Sequence, residues 1–217
     1  GYQPRGKVLG GSSSINAMCY IRGQADDYDD WAANGAPDWS YKDVLPYFRM
    51  SECNERGEDD FHGASGPLNV ADHRSPNPVA DMFIEAAAEQ QHKVNSDFNG
   101  AEQEGVGRYQ VNQKDGRRWN VARGYLRPIR GRGNLTVMTR TKALRILMSG
   151  SRATGLEVTH NKKSLKLSAA KGVVLTSGAF STPQLLMLSG IGPESELKRH
   201  GIPVLHDLPE VGQNLQD

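Results

Sequence analysis

Apolar residues recur at helical spacing early in the chain and at every second position after residue 134. Residues 41–50 place Val44, Leu45 and Phe48 at three-to-four spacing, and residues 77–91 give the clearest helix, with Val79, Met82, Phe83 and Ala86 or Ala87 on one face. Asp26-Asp27-Tyr28-Asp29-Asp30-Trp31 reads as a helix N-terminus, where carboxylates meet the positive end of the macrodipole. Residues 51–66, with Glu52, Glu55, Glu58, Asp59, Asp60, Gly63 and Gly66, read as an exposed loop, and Pro67-Leu68-Asn69-Val70 as a short strand. From residue 134 the period becomes two. Leu135 and Val137, Leu144 and Ile146, Leu156 and Val158, and Leu165 and Leu167 alternate with polar neighbours, which predicts a small antiparallel meander. Its turns fall at Ser149-Gly150-Ser151 and His160-Asn161-Lys162-Lys163. Val173-Val174-Leu175 is an unbroken apolar run, suited to a strand buried on both faces. Thr182 and Pro183 predict the N-cap and first position of a helix filled by Leu185, Leu186, Met187 and Leu188 and stopped by Gly190. Pro193 begins another, with Glu194 and Glu196 early, Lys198, Arg199 and His200 late, and Gly201 beyond its end. The fold class is α+β, a mixed α/β chain.

The 217 residues allow one large domain or two small ones. With 26 basic against 25 acidic residues, net charge demands neither nucleic acid nor an anionic membrane. Residues 114–132 concentrate Lys114, Arg117, Arg118, Arg123, Arg127, Arg130 and Arg132 against Asp115. Only Trp119 and Tyr125 interleave them, so a solvated or anion-facing helix is favoured over a nucleic-acid site. Mean hydropathy is −0.60, and no apolar run approaches the roughly 18 residues of a membrane-spanning helix. Cys19 and Cys53 form neither a disulfide framework nor a CxxC pair. They fit a reducing, cytoplasmic setting, with peripheral attachment to an inner membrane left open. The chain opens on Gly1 without a signal peptide and closes on Asp217 without a tapering tail, so a fragment is expected.

Several chemistries find no motif. There is no GxGxxG, no P-loop, no GxSxG elbow and no HExxH among the six histidines, so no metal site is assigned. Two segments stand out. In Gly6-Lys7-Val8-Leu9-Gly10-Gly11-Ser12-Ser13-Ser14-Ile15-Asn16, paired glycines let a backbone approach a ligand closely, beside small hydroxyls and an amide. In Ser177-Gly178-Ala179-Phe180-Ser181-Thr182-Pro183, running on to Gly190-Ile191-Gly192, a strand ends at glycine and a helix begins. Such junctions bind ligands in open α/β sheets. Taken singly, each segment also reads as an ordinary turn or an ordinary connection.

Together they are more specific. The first, extended through Ala17-Met18-Cys19-Tyr20-Ile21-Arg22-Gly23 to Asp29, resembles the first signature of the glucose–methanol–choline (GMC) oxidoreductases. The second, from Gly178 to Gly192, resembles their second signature, in the family's order and spacing. Val211-Gly212-Gln213-Asn214-Leu215-Gln216-Asp217 resembles a further family stretch, and Asn134-Leu135-Thr136-Val137 the strand leading to the adenine contact. Within the family, the sequence is most similar to bacterial choline dehydrogenases and aliphatic alcohol dehydrogenases.

The resemblance implies the central part of an FAD-binding domain plus part of a substrate-binding domain. The implied division is 1–50 as an FAD-contacting segment and lid, 51–130 as partial substrate-binding domain, and 131–217 as partial FAD-binding domain carrying the meander. It implies FAD as cofactor and oxidation of an alcohol, choline or an aliphatic primary alcohol, by hydride transfer to flavin N5. The partners implied are a small-molecule alcohol and an electron acceptor such as a quinone, a dye-like carrier or oxygen, with no nucleic acid. Gly10, Gly11 and Ser12 would lie against the diphosphate and ribityl side, and Asn16, Ala17, Met18 and Cys19 beside the isoalloxazine. Leu144 would present its backbone to the adenine, and Gly178 and Ala179 would lie near the cofactor. The family's GxGxxG, its ribose-binding acidic residue and its catalytic histidine with a histidine or asparagine partner have no counterpart here. No catalytic residue is therefore assigned, and the isolated chain is expected to be inactive and weak at best in FAD binding. The alternative is a non-catalytic FAD- or ligand-binding module.

Overall fold

A computed structural model describes residues 2–215, as helices and strands in two compact units that divide after Leu135. Gln216 and Asp217, in the closing stretch that resembles the family, lie outside the described residues.

In the first unit, β1 (Cys19–Tyr20) is followed by α1 (Ala25–Ala33). Gln24 and Asp27 close a reciprocal capping box there, so the helix starts one residue before the aspartate run. After α2 (Tyr41–Ser51) come β2 (Glu52–Asn54) and β3 (Leu68–Val70), which pair in parallel. In α3 (Pro78–Glu89), the Asn77 side chain accepts from the Val79 N–H at 3.0 Å and Pro78 takes the first position. The helix forms as expected, but Val79, Met82 and Phe83 stay about two-thirds exposed, at 65–67%. Then follow β4 (Gln110–Val111), antiparallel to β1, and the hairpin β5 (Gln113–Lys114) and β6 (Arg117–Arg118). A π-helical turn (Ala122–Leu126) leads into α4 (Arg127–Ile129).

The core of this unit is partly polar. Val70, Ala71 and Val111 are buried, and so are Glu52, Asn54, His62, Asn69, Asn99 and Gln110. Residues 51–66 are therefore not an exposed loop. Gly63 and Gly66 lie where a Cβ would meet backbone, 1.9 Å from the Arg49 carbonyl oxygen and 2.3 Å from the Ser51 carbonyl carbon. Only glycine lets the segment press onto the end of α2, and that contact buries the acidic run's first member.

The second unit holds the meander, β7 (Thr141–Ser149), β8 (Arg152–His160) and β9 (Lys163–Ser168), in that spatial order. Both predicted turns are present. At the second, Asn161 and Lys162 both have positive φ, the geometry that follows strand twist. Residues 134–140 are not a strand, because the ladder ends where Thr141 faces His160 and, among the described residues, no strand pairs with Leu135 or Val137. Val173-Val174-Leu175 forms no strand either, and Val174 is 87% exposed. A buried parallel strand needs a neighbour for its N–H and C=O groups, and among the described residues this run has none.

The next helix, α5 (Gly178–Leu188), begins ahead of Thr182. Ser177 is its N-cap, Thr182 Oγ1 accepts from the Ser177 N–H at 3.1 Å, and Pro183 lies inside. The proline forfeits only the bond to the Ala179 carbonyl, at an exposed end of the helix, so it does not set the start. β10 (Ile191–Gly192) pairs in parallel with β11 (His206–Asp207), flanking α6 (Glu194–Arg199). Ile146, Val158, Leu185, Ile191 and Leu197 form the buried apolar core here.

Candidate functional site

The glycine-rich segment folds into a tight turn. Gly10 and Gly11 have φ of +91° and +54°, the left-handed region, and a 3₁₀ turn follows over Gly11–Ser14. The serine hydroxyls bond within the segment. Ser12 Oγ accepts from the Gly6 N–H at 3.2 Å, Ser13 Oγ donates to the Gly10 carbonyl at 2.5 Å, and Ser14 Oγ donates to the Leu9 carbonyl at 2.8 Å. A Cβ on Gly10 would lie 2.5 Å from Ser14 Oγ, whereas one on Gly11 would meet nothing within 4 Å. The turn thus has a packed inner side and an open outer one. The N–H groups of Gly10 and Ala17 meet no acceptor among the described residues.

The segment is held from behind by a distant stretch. Arg118 Nη1 donates to the Ser13 carbonyl at 3.0 Å and to Asn16 Oδ1 at 2.8 Å, and Nη2 donates to the Asn16 carbonyl at 2.9 Å. Asn120 Nδ2 donates to Ser14 Oγ at 2.8 Å, and the Val121 N–H to Ser13 Oγ at 3.1 Å. Asn16 Oδ1 also accepts from the Met18 N–H at 3.2 Å. Met18 has φ +67°, and its carbonyl accepts from the Asn112 N–H at 2.9 Å. Cys19 then pairs with Val111 in the β1–β4 ladder.

Just beyond Cys19 the chain enters a buried ionic network. Arg22 Nη2 donates to Glu52 Oε2 at 2.5 Å, with both side chains almost wholly buried, and Arg22 Nη1 donates to the Phe61 carbonyl at 2.8 Å. His62 lies between two carboxylates. Nδ1 is 3.0 Å from Glu52 Oε1 and Nε2 is 3.0 Å from Asp97 Oδ2. The hydrogen bond to Glu52 raises the His62 pKa above its ordinary value and, with Asp97, outweighs the opposing effect of burial. Asn54 and Gln110 exchange side-chain hydrogen bonds at 2.9 and 3.1 Å, and Asn54 Nδ2 also donates to Glu52 Oε1 at 2.9 Å. This network fastens β1 to β2 and so anchors the far end of the glycine-rich segment.

In the second unit, Leu144 is the extra residue of a bulge. Ala143 faces Val158 and Arg145 faces Glu157, which leaves Leu144 without a partner on β8. Gly178, with φ +86°, and the exposed Ala179 open α5. The other end of that helix grips the sheet, where Ser189 Oγ accepts from the Ile146 N–H at 2.8 Å and donates to the Leu185 carbonyl at 2.6 Å.

Residues 2–217 match the family described as GMC oxidoreductase. The chain belongs to that family. It is 46% identical over its whole length to an alcohol dehydrogenase [acceptor] of Pseudomonas putida, covering 40% of that protein. It is 45% identical to an oxygen-dependent choline dehydrogenase of Brucella anthropi, with 99% of this chain and 39% of the relative covered. A solved FAD-dependent oxidoreductase from Chaetomium thermophilum superposes with a TM-score of 0.91 at 33% identity, covering 98% of this chain and 39% of that one. The chain therefore spans about two-fifths of these GMC relatives. FAD is the cofactor of the GMC family, and the open face of the Gly10–Gly11 turn fits it. No Cβ stands over Gly11, and unpartnered backbone N–H groups suit an anionic or carbonyl-bearing ligand.

Of the sequence-derived GMC site residues, Gly10, Gly11, Ser12, Asn16, Ala17, Met18 and Cys19 form one continuous structure in the first unit. Leu144, Gly178 and Ala179 belong to the second. Sequence reasoning missed Arg118 and Asn120; Arg118 stood in a basic stretch read as a solvated or anion-facing helix, and the structure places it on strand β6 instead. It also missed Arg22, Glu52 and His62, whose composition resembles any solvated acidic loop. Among the described residues, no group of three or more His, Cys, Asp or Glu is placed to hold a metal ion, and no helix is long and apolar enough to cross a membrane.

Proposed function

We propose that this chain is the central, flavin-contacting part of an FAD-dependent GMC dehydrogenase that oxidises choline or an aliphatic primary alcohol to the aldehyde. The observation that carries this reading is the left-handed Gly10–Gly11 turn, pinned on its inner side by Arg118, Asn120 and three serines and open on its outer side. FAD, when bound, supplies the hydride acceptor at flavin N5. Gly10, Gly11 and Ser12 would hold its diphosphate and ribityl side, and Asn16, Ala17, Met18 and Cys19 would line its ring. The bulge at Leu144 would offer backbone to the adenine, and Gly178 and Ala179 would lie close to the cofactor.

Removing the hydroxyl proton calls for a base within hydrogen-bond reach of the substrate. No histidine of this chain is assigned that role. His62 is enclosed by Glu52 and Asp97, whose hydrogen bonds raise its pKa, and both ring nitrogens are engaged by those carboxylates. Proton removal therefore falls to residues outside this chain, and this chain's part is to bind and orient the flavin. The electron acceptor is a quinone, a dye-like carrier or oxygen. A second reading, a non-catalytic flavin-binding module, is favoured by the fact that the turn and its inner supports all belong to this chain.

The visible spectrum of the purified chain, taken with and without excess FAD and after desalting, separates the two. A colourless protein is expected from a partial enzyme, and retained bands near roughly 375 and 450 nm, the flavin's own absorption, favour the module. A fluorescence titration with FAD checks the site itself. Weak, saturable binding is expected, and Gly11→Asn abolishes it, because asparagine tolerates the left-handed backbone but fills the open outer face. Binding that survives this substitution overturns the assignment of the turn.

A further inference from the structure

We propose that Arg118 is a positioning residue that fixes Asn16 as a hydrogen-bond donor toward the bound flavin. The proposal rests on the flavin-site reading above. Asn16 carries one acceptor oxygen and one donor nitrogen, and its two orientations present opposite polarity to a ligand. Its oxygen is claimed twice from the protein side, by Arg118 Nη1 at 2.8 Å and by the Met18 N–H at 3.2 Å. A flipped amide would aim its NH₂ at two donors, so Nδ2 is left on the other side. There it meets no acceptor among the described residues. The same guanidinium holds the Ser13 and Asn16 carbonyls, so one planar fork sets three acceptors of the segment at once. Both carbonyls thereby have a donor within the protein. Arg118 and Asn16 lie 102 positions apart, so the contact is long-range, and the β5–β6 hairpin supplies the rigid element that delivers it.

The test uses the full chain in two measurements. In FAD titrations, Arg118→Ala and Asn16→Ala each weaken affinity by about tenfold, as expected for one charge-assisted or oriented hydrogen bond. The double variant is no weaker than Asn16→Ala alone, since Arg118 acts through Asn16. Additive losses mean a merely structural arginine and overturn the proposal. Arg118→Lys recovers only part of the affinity, because an ammonium lacks the fork. Amide exchange without FAD reads the clamp by itself. The Met18 N–H exchanges faster in Arg118→Ala than in the unsubstituted chain, and unchanged exchange overturns the proposal. If the unsubstituted chain takes up no FAD, amide exchange alone decides the proposal, while the flavin-site reading fails separately for the isolated chain.

Discussion

Glu52 has no exposed surface, yet it accepts from Arg22, Asn54 and His62 and makes a long 3.4 Å contact with the Gly63 N–H. Removing its charge strands a guanidinium inside the unit. Glu52→Gln is expected to destabilise the protein by about 3 kcal/mol or more, the range for breaking one side of a buried pair, and urea unfolding measures it. His62 gives a pH signature. Its folded pKa is raised above the ordinary 6.5, so the protonated form carries the stabilisation. That contribution is complete below about pH 6.5, the unfolded value, and is lost as pH rises through the folded value. Unfolding free energy should therefore decline with rising pH above that point, and His62→Gln should flatten the decline. An unchanged pH profile in the variant would remove His62 from the account.

At the scale of elements, two devices hold the second unit. Gly155 on β8 lies where a Cβ would come within 2.0 Å of the Leu167 carbonyl oxygen on β9. Gly155→Ala should push the strands apart, at a cost of about 1–3 kcal/mol, seen as a lower Tm. Ser189 bridges the end of α5 to the Ile146 N–H. Ser189→Ala leaves a buried N–H without a partner, and the expected loss is about 1–3 kcal/mol. Both arrangements explain why pattern reading worked here and failed nearby. The β7–β9 meander was legible because alternation and turn residues are local. The start of α5 was not, because Thr182 serves the cap from inside the helix by accepting from Ser177.

At the scale of the molecule, the chain spans about two-fifths of its relatives. The apolar side of α3 is uncovered, and Val174 is exposed in a run whose composition suits a buried strand. With no proton acceptor assigned within the chain, neither choline nor 1-octanol should be turned over with a dye acceptor. Measurable turnover by the isolated chain would overturn the assignment of proton removal to residues outside it.

By itself the sequence determined what short-range chemistry dictates: the glycine turn, the ends of α5 and α6 at Gly190 and Gly201, the meander with its two turns, and the family signatures. Each depends on residues within about one or two turns of chain. Tertiary structure decided the rest. Arg22 meets Glu52 across 30 residues, and Arg118 meets Asn16 across 102. An arginine in a basic run and a glutamate in an acidic run look solvated in sequence. Burial and partnership belong to pairs brought together by folding, and no local pattern encodes which distant partner a charge will find.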